Sequence, residues 1–185
     1  SAGFDPFLRI ENDQWKPLVV NDDIRWMDSE NDPRLLNARI VFTPPNHGRF
    51  RHVVNFIFGK KTGLYRLKLR EVSLVEPSES KSGKLTYASK QKDERFYERK
   101  RVSLTANVPY VFELQSDSFP TQLQLFDSKE RIIAWGYEIS PEKTHESRID
   151  FTPGTSGDYF VEVSSTQRGR IGDYTWRMLS YKTAE

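Results

Sequence analysis

The segment Arg39 to Val72 recurs without a gap, displaced by 109 positions, as Arg148 to Tyr181. RIVFTP at Arg39 to Pro44 returns as RIDFTP at Arg148 to Pro153. Gly48, Phe50, Val54, Gly63 and Tyr65 fall on Gly157, Tyr159, Val163, Gly172 and Tyr174. Recurrence at a fixed spacing marks a duplicated structural unit, so the two copies are expected to share one fold. The match extends upstream, where Phe4, Leu8 and Ile10 meet Phe119, Leu123 and Leu125 at a displacement of 115, and Leu18 meets Ile132 at 114. The first copy therefore carries a longer, acidic loop between Asn21 and Ala38. Because Ser1 corresponds to Ser116, copy one has no counterpart of Val102 to Gln115, and the chain is expected to begin inside a module.

What the unit is follows from its alternation. Tyr65, Leu67 and Leu69 interleave with Arg66, Lys68 and Arg70, and Tyr174, Trp176 and Met178 interleave with Thr175 and Arg177. The same period groups Phe50, His52, Val54 and Phe56, then Tyr110, Phe112 and Leu114, then Tyr159, Val161 and Val163. Side chains alternate across a strand, so each run has a buried face and a wet face, the pattern of antiparallel sheets covering a core. Proline cannot donate to a ladder, so Thr43-Pro44 and Thr152-Pro153 are read as strand ends. Short strands punctuated by Gly, Pro, Asn, Asp and Ser indicate sandwiches. The expected fold class is all-β, with two tandem antiparallel β-sandwich, jelly-roll-like modules. Residues 1–75 form the first, incomplete at its amino end; the polar run EPSESKSG, residues 76–83, is a linker; residues 84–185 form the second. Apolar residues make up 36 % of the chain, so each core is thin and leans on the 12 Phe, 8 Tyr and 4 Trp.

Several classes of function are excluded. The chain has no cysteine, which removes disulfides, thiolate metal sites and a cysteine nucleophile. Its formal net charge is +2 with both signs interspersed, so no general field draws it to nucleic acid. KQKDERFYERKR at Lys90 to Arg101 is a local basic excess, read as a solvated linker or edge strand; Phe96 and Tyr97 alone do not make the stacking groove that nucleic-acid binding needs. No window approaches the eighteen apolar residues of a membrane-spanning helix. Neither a G-x-S-x-G elbow, a phosphate-binding loop nor a dinucleotide fingerprint occurs. His47, His52 and His145 lack zinc-site spacing, and His52, aligned with Val161, is expected to be partly buried and hydrogen-bonded. No catalytic residue is expected, and the chain is read as a non-enzyme.

Two groups of residues are candidates for binding. Asn21-Asp22-Asp23, followed by Asp28, Glu30 and Asp32, is the densest cluster of carboxylates. Calcium takes six to eight oxygen ligands, which makes Asp22, Asp23 and Asp28 candidate calcium ligands, although the spacing is not that of an EF-hand. The same Asn-Asp-Asp run also makes a turn with no ion, through side chain to backbone hydrogen bonds. Among the tryptophans, Trp176 takes the place of Leu67 on a buried face and is core. Trp15, Trp26 and Trp135 lie in loops or at a strand end, where an indole either packs or meets a ligand such as a sugar face.

Phe4 to Asn12 (FDPFLRIEN) with Pro17 to Asp23 (PLVVNDD), the paired RIVFTPPNHG and RIDFTPGTSG, and the paired TGLYRLKL and IGDYTWRM together resemble the bacterial pre-peptidase C-terminal domain. VSLTANVPYVFELQSDSF at Val102 to Phe119 is similar to that family's opening strands. The resemblance implies a small β-sandwich accessory domain of larger exported bacterial proteins, non-catalytic, used for attachment, secretion or stability, and sometimes calcium-bound. It implies an extracytoplasmic location, whether secreted, periplasmic or cell-surface, and a protein or polysaccharide surface as partner. A carbohydrate-binding module using Trp15, Trp26 and Trp135 is the alternative. The strands missing from copy one have three possible sources: a longer natural chain, a second polypeptide or self-association, and a fold-back of Lys84 to Lys90. A calcium site at Asp22 and Asp23 is tested by melting. Calcium is expected to raise the melting temperature of the parent and not that of Asp22→Ala/Asp23→Ala, and equal responses would remove the site.

Overall fold

A computed structural model of the protein describes residues 6–21, 38–56, 63–138 and 145–183. Within them the chain forms strands and no helix. The first copy contributes β1 (Pro6–Glu11), β2 (Pro17–Asn21) and β3 (Arg51–Phe56). There follow β4 (Val72–Leu85), β5 (Lys90–Lys92), β6 (Arg95–Leu104), β7 (Tyr110–Ser116) and β8 (Thr121–Phe126). The last are β9 (Ile132–Trp135), β10 (Tyr137–Glu138), β11 (His145–Phe151), β12 (Gly157–Ser165) and β13 (Gly172–Thr183). They make three antiparallel sheets, ordered β2-β1-β3, β10-β11-β7-β13-β4 and β5-β6-β12-β8-β9. The fold is all-β, as the alternation predicts.

The two five-stranded sheets enclose one core. Tyr110, Phe112 and Leu114 of β7 and Tyr174 and Trp176 of β13 are buried with Leu123 and Leu125 of β8 and Tyr159, Val161 and Val163 of β12. Each fully buried large apolar side chain stabilises by about 1.5–3 kcal/mol, which makes this layer the main source of cohesion. β7 is its centre, because Phe112 faces Ile149 of β11 on one side and Met178 of β13 on the other.

The duplication is visible in register. Leu8 faces Val54 across β1 and β3, and their counterparts Leu123 and Val163 face each other across β8 and β12. Ile10 faces Val19 as Leu125 faces Ala134, and both ladders slip at the same step, between Ile10 and Glu11 and between Leu125 and Phe126. β2-β1-β3 is therefore the counterpart of β9-β8-β12. The displacement of 115 persists through β2, so Val20 occupies the place of Trp135, and the change to 114 expected at Leu18 does not occur.

Three expectations are corrected. Residues 63–71 are not a strand, and Leu64, Tyr65, Leu67 and Leu69 are exposed where their counterparts Tyr174 and Trp176 are buried. The reason lies in the ladder: β11 and β13 both bond to β7, and among the described residues no strand of the first copy takes the place of β7 beside residues 63–71. His52 is exposed for the same reason, since the layer that would cover its face is lacking. Glu76 to Gly83, expected as a linker, lies inside β4, and its Glu79 to Gly83 pair with β13; the ladder steps from Glu79 opposite Met178 to Val75 opposite Ser180, so Pro77 falls in the irregularity, where no donor is needed. The second sandwich thus starts at Val72, and Lys84 to Lys90 belongs to it rather than folding back on the first copy. Lys90 to Arg101 forms β5 and part of β6, an edge hairpin whose Arg99 and Arg101 pair with Glu162 and Asp158 of β12. Among the described residues no helix is long and apolar enough to cross a membrane.

Gly83 faces Tyr174 across β4 and β13, and a Cβ there would come within 2.3 Å of the tyrosine ring. The ring is held from its far end as well, where its hydroxyl donates to Glu98 Oε2 at 2.6 Å. Gly83→Val is therefore expected to destabilise the sandwich by about 1–3 kcal/mol, the range for overpacking a filled site. Thermal unfolding followed by circular dichroism checks this; an unchanged midpoint would show that the ring is free to move.

Candidate functional site

The hairpin between β1 and β2 is organised by Asn12. Its Oδ1 accepts the backbone N–H groups of Gln14 at 3.0 Å and Lys16 at 2.9 Å, and its own N–H donates to the carbonyl of Lys16. This closure drives Trp15 to a left-handed φ of 64°. The β8–β9 hairpin repeats the design with Asp127, whose Oδ1 accepts the N–H groups of Lys129 and Arg131, and with Glu130 at φ 60°. Short Asn and Asp side chains favour such turns because they bond the backbone two residues on.

Trp15 is 68 % exposed. The guanidinium of Arg51, from β3, lies 3.6 Å from the centroid of its ring. Arg51 also donates to the carbonyls of Asn12 at 3.0 Å and Asp13 at 3.2 Å. One indole face is thus fixed by a clamped cation, and the ring is held out from the hairpin tip. Trp135 lies on β9, at the edge of a different sheet, opposite Gln124 of β8. The two tryptophans do not share a sheet. Asp22, Asp23, Trp26 and Asp28 lie outside the described residues. Asn21, just before them, is buried, and its Oδ1 accepts the N–H of Arg39. Among the described residues no group of three or more His, Asp or Glu is placed to hold a metal ion.

A second constellation covers the outer face of the β11-β7-β13 region. Val41 packs on Val111 and Tyr181, so that RIVFTP of the first copy lies on RIDFTP of the second. The N–H of Val41 donates to Asp150 Oδ1 at 2.9 Å, and Arg148 donates to the Val41 carbonyl. Arg39 donates to Thr152 Oγ1 at 3.0 Å. Arg148 also grips Asp150 through both oxygens, at 2.9 and 3.1 Å, and reaches Glu113 at 3.0 Å, while Arg177 holds the other Glu113 oxygen. Burial works against the charge on Arg148, but Asp150 and Glu113 outweigh it and hold the guanidinium above its ordinary pKa. Arg39 goes the other way: its burial lowers its pKa, Asp150 opposes and Arg70 adds to the lowering.

Beside this network, Glu113, Gln115, Glu146, Thr175 and Arg177 line a shallow depression of about 230 Å³. Burial, then the neighbouring Glu113, raise the pKa of Glu146 against the opposing charges of Arg177 and Arg148. Arg51, Glu113 and Arg148 were not singled out from the sequence. For Arg148 the one signal is that the twin hexapeptides differ at a single position, Val41 against Asp150; Arg51 and Glu113 lie outside them and carry none.

In comparisons with known proteins, no protein-family model and no curated protein matches the chain. The likeness to the pre-peptidase C-terminal domain therefore rests on its motifs.

A carboxyl whose folded pKa is raised favours folding below its unfolded pKa and loses that contribution as pH rises through the folded value. Glu146→Gln is accordingly expected to raise the unfolding midpoint at pH 7, with the gain vanishing below about pH 4, where the carboxyl is protonated in both states. Melts across that range check it, and a gain that persists in acid would assign the effect to something other than the charge.

Proposed function

We propose that the chain is a non-catalytic attachment segment of a larger exported bacterial protein, which it holds to a polysaccharide or protein surface through loops carried on rigid sheets. The exported and bacterial parts of this reading rest on the motif resemblance. The attachment part rests on Trp15. A bulky side chain in the left-handed region costs roughly 1–2 kcal/mol. Stacking on an exposed cation returns about 0.5–1 kcal/mol. That backbone cost falls on any non-glycine residue at the position, and the other copy performs the same turn with Glu130, so the turn itself does not call for tryptophan. A planar apolar ring, fixed from behind by Arg51 and open in front, suits the flat face of a sugar ring, which favours polysaccharide among the surfaces. Calcium ordering the Asn21 to Asp32 loop beside β2 belongs to the same proposal.

Trp15→Gly separates contact from stability. Strain relief and the lost stacking nearly cancel, so the unfolding free energy is expected to stay within about 1 kcal/mol of the parent. Co-sedimentation with insoluble polysaccharides and with bacterial envelope fragments is expected for the parent and strongly reduced for the variant. Sedimentation with neither material, or equal sedimentation of both proteins, would overturn the reading.

A further inference from the structure

We propose that the outward face of the β5-β6-β12-β8-β9 sheet binds an anionic polysaccharide, whose acidic groups sit on cations at the β5–β6 corner while its sugar rings run across to Trp135 on β9. This face belongs to the second copy, and the inference does not depend on the role proposed for Trp15.

The inner face of the sheet is core, with Phe96, Val102, Tyr159, Val161, Leu123 and Ala134 buried in it. Alternation sends the residues between them outward, where a face that meets only water is polar. Register arranges that outer face in rows. Arg99 of β6 stands opposite Glu162 of β12, Glu162 opposite Gln124 of β8, and Gln124 opposite Trp135 of β9. The row on one side holds Lys90, Tyr97, Ser164 and Gln122, and the row on the other holds Arg101, Phe160 and Phe126. Aromatic rings thus come from β6, β12, β8 and β9 onto a face that the core does not use. Phe126 is buried beneath the Arg99 guanidinium, 4.2 Å from its ring centroid; Tyr97 and Phe160 are half-buried, and Trp135 is 38 % exposed. Neighbouring strands lie about 4.8 Å apart, so the five span roughly 19 Å, room for several sugar units in a row.

Charge on this surface is uneven. Toward β12, Arg99 and Arg101 are matched by Glu162 and Asp158. The β5–β6 corner is different. The loop between β12 and β13 abuts it, since the N–H of Gly169 donates to the Glu94 carbonyl and Arg95 donates to the Thr166 carbonyl. Arg168 pairs with Glu94, and Arg170 donates to the amide oxygen of Gln167. Lys90 and Lys92 are exposed on the same side of the sheet as Arg95. Among the described residues Lys90, Lys92, Arg95 and Arg170 have no carboxylate partner, and Asp93 is the one acid of the corner left to oppose them. Cations in water that no acid of the fold engages attract carboxylate or sulfate groups of a ligand. Single-stranded nucleic acid is the poorer match, because it needs successive open rings for its bases, whereas Arg99 caps Phe126 and Glu162 places a negative charge in the middle of the central row. Gln122 and Gln124 carry amides that both donate and accept, which suits sugar hydroxyls.

Affinity electrophoresis of the full chain tests this in gels containing polygalacturonate, its methyl ester, dextran sulfate or unmodified dextran, with a thymidine oligonucleotide as competitor. Polygalacturonate or dextran sulfate is expected to retard the parent, the two arms telling carboxylate from sulfate, and the uncharged forms are not. Lys90→Glu/Lys92→Glu is expected to weaken binding about tenfold or more. Arg170→Glu, in a loop outside the ladders, is expected to weaken it in the same direction, and Trp135→Ala about fivefold. Circular dichroism of each variant confirms the fold. Trp15→Gly is expected to bind these polymers as the parent does, whatever its behaviour toward insoluble polysaccharide. Retardation by neither acidic polymer, equal retardation by the uncharged forms, or parental affinity in Lys90→Glu/Lys92→Glu or in Trp135→Ala would overturn the proposal. So would an oligonucleotide that binds more tightly than both acidic polymers, or a loss confined to Trp15→Gly.

Discussion

β7 holds two ladders at once. Its backbone bonds β11 on one side and β13 on the other, and its inward side chains Tyr110, Phe112 and Leu114 are buried against the opposite sheet. Fixing the backbone of one residue costs about 1–2 kcal/mol, so no single strand of this length is held by its own burial. Each neighbour of β7 is affordable because the ladder satisfies its polar groups and the facing layer covers its apolar ones. The first copy displays the converse. Tyr65, Leu67 and Leu69 offer the same alternation as Tyr174, Trp176 and Met178, yet among the described residues no strand stands beside them as β7 stands beside β13; they are exposed, and residues 63–71 are not a strand.

That dependence on a neighbour separates what was legible in the sequence from what was not. Alternation, turn residues and the repeat are local, and they led to the all-β class, to the inward faces of β7, β12 and β13 and to the correspondence of the copies. Whether a partner stands beside a run is not local. Leu64 to Val72 reads as a strand and lacks a neighbour; Glu76 to Gly83 reads as a linker and has one, because β13 offers an edge. An edge strand with most of its side chains in water has the composition of a loop. His52 shows the same limit, since its inward place in the pattern means burial only where a second layer exists. At the candidate site, the loop position of Trp15 was legible, but its clamp by Arg51 required knowing that β3 lies beside β1.

The two copies also act as controls for each other. Asn12 and Asp127 build one turn with one hydrogen-bond scheme, so the residue at the left-handed position, Trp15 or Glu130, is free of the demands of the turn itself. Each is engaged within the fold by an arginine of a different strand, Trp15 by Arg51 of β3 and Glu130 by Arg99 of β6, so the two tips share a backbone and differ in the side chain they present.

The same comparison explains the buried charges. Val41 is nearly inaccessible, so its N–H and carbonyl must both be satisfied, and among the described residues no neighbouring strand of its own copy does so. Asp150 accepts the N–H and Arg148 donates to the carbonyl, so the ion pair does at this point what a neighbouring strand would do. Burying a carboxylate and a guanidinium together gives little net stability unless each is further bonded. Here both are, Arg148 by Glu113 as well and Asp150 by Val41, so the charge pair is anchored by the segment it anchors. Valine at position 41 supplies backbone groups and an apolar cap, aspartate at position 150 supplies the acceptor, and that one difference between the hexapeptides lets the first copy dock on the second.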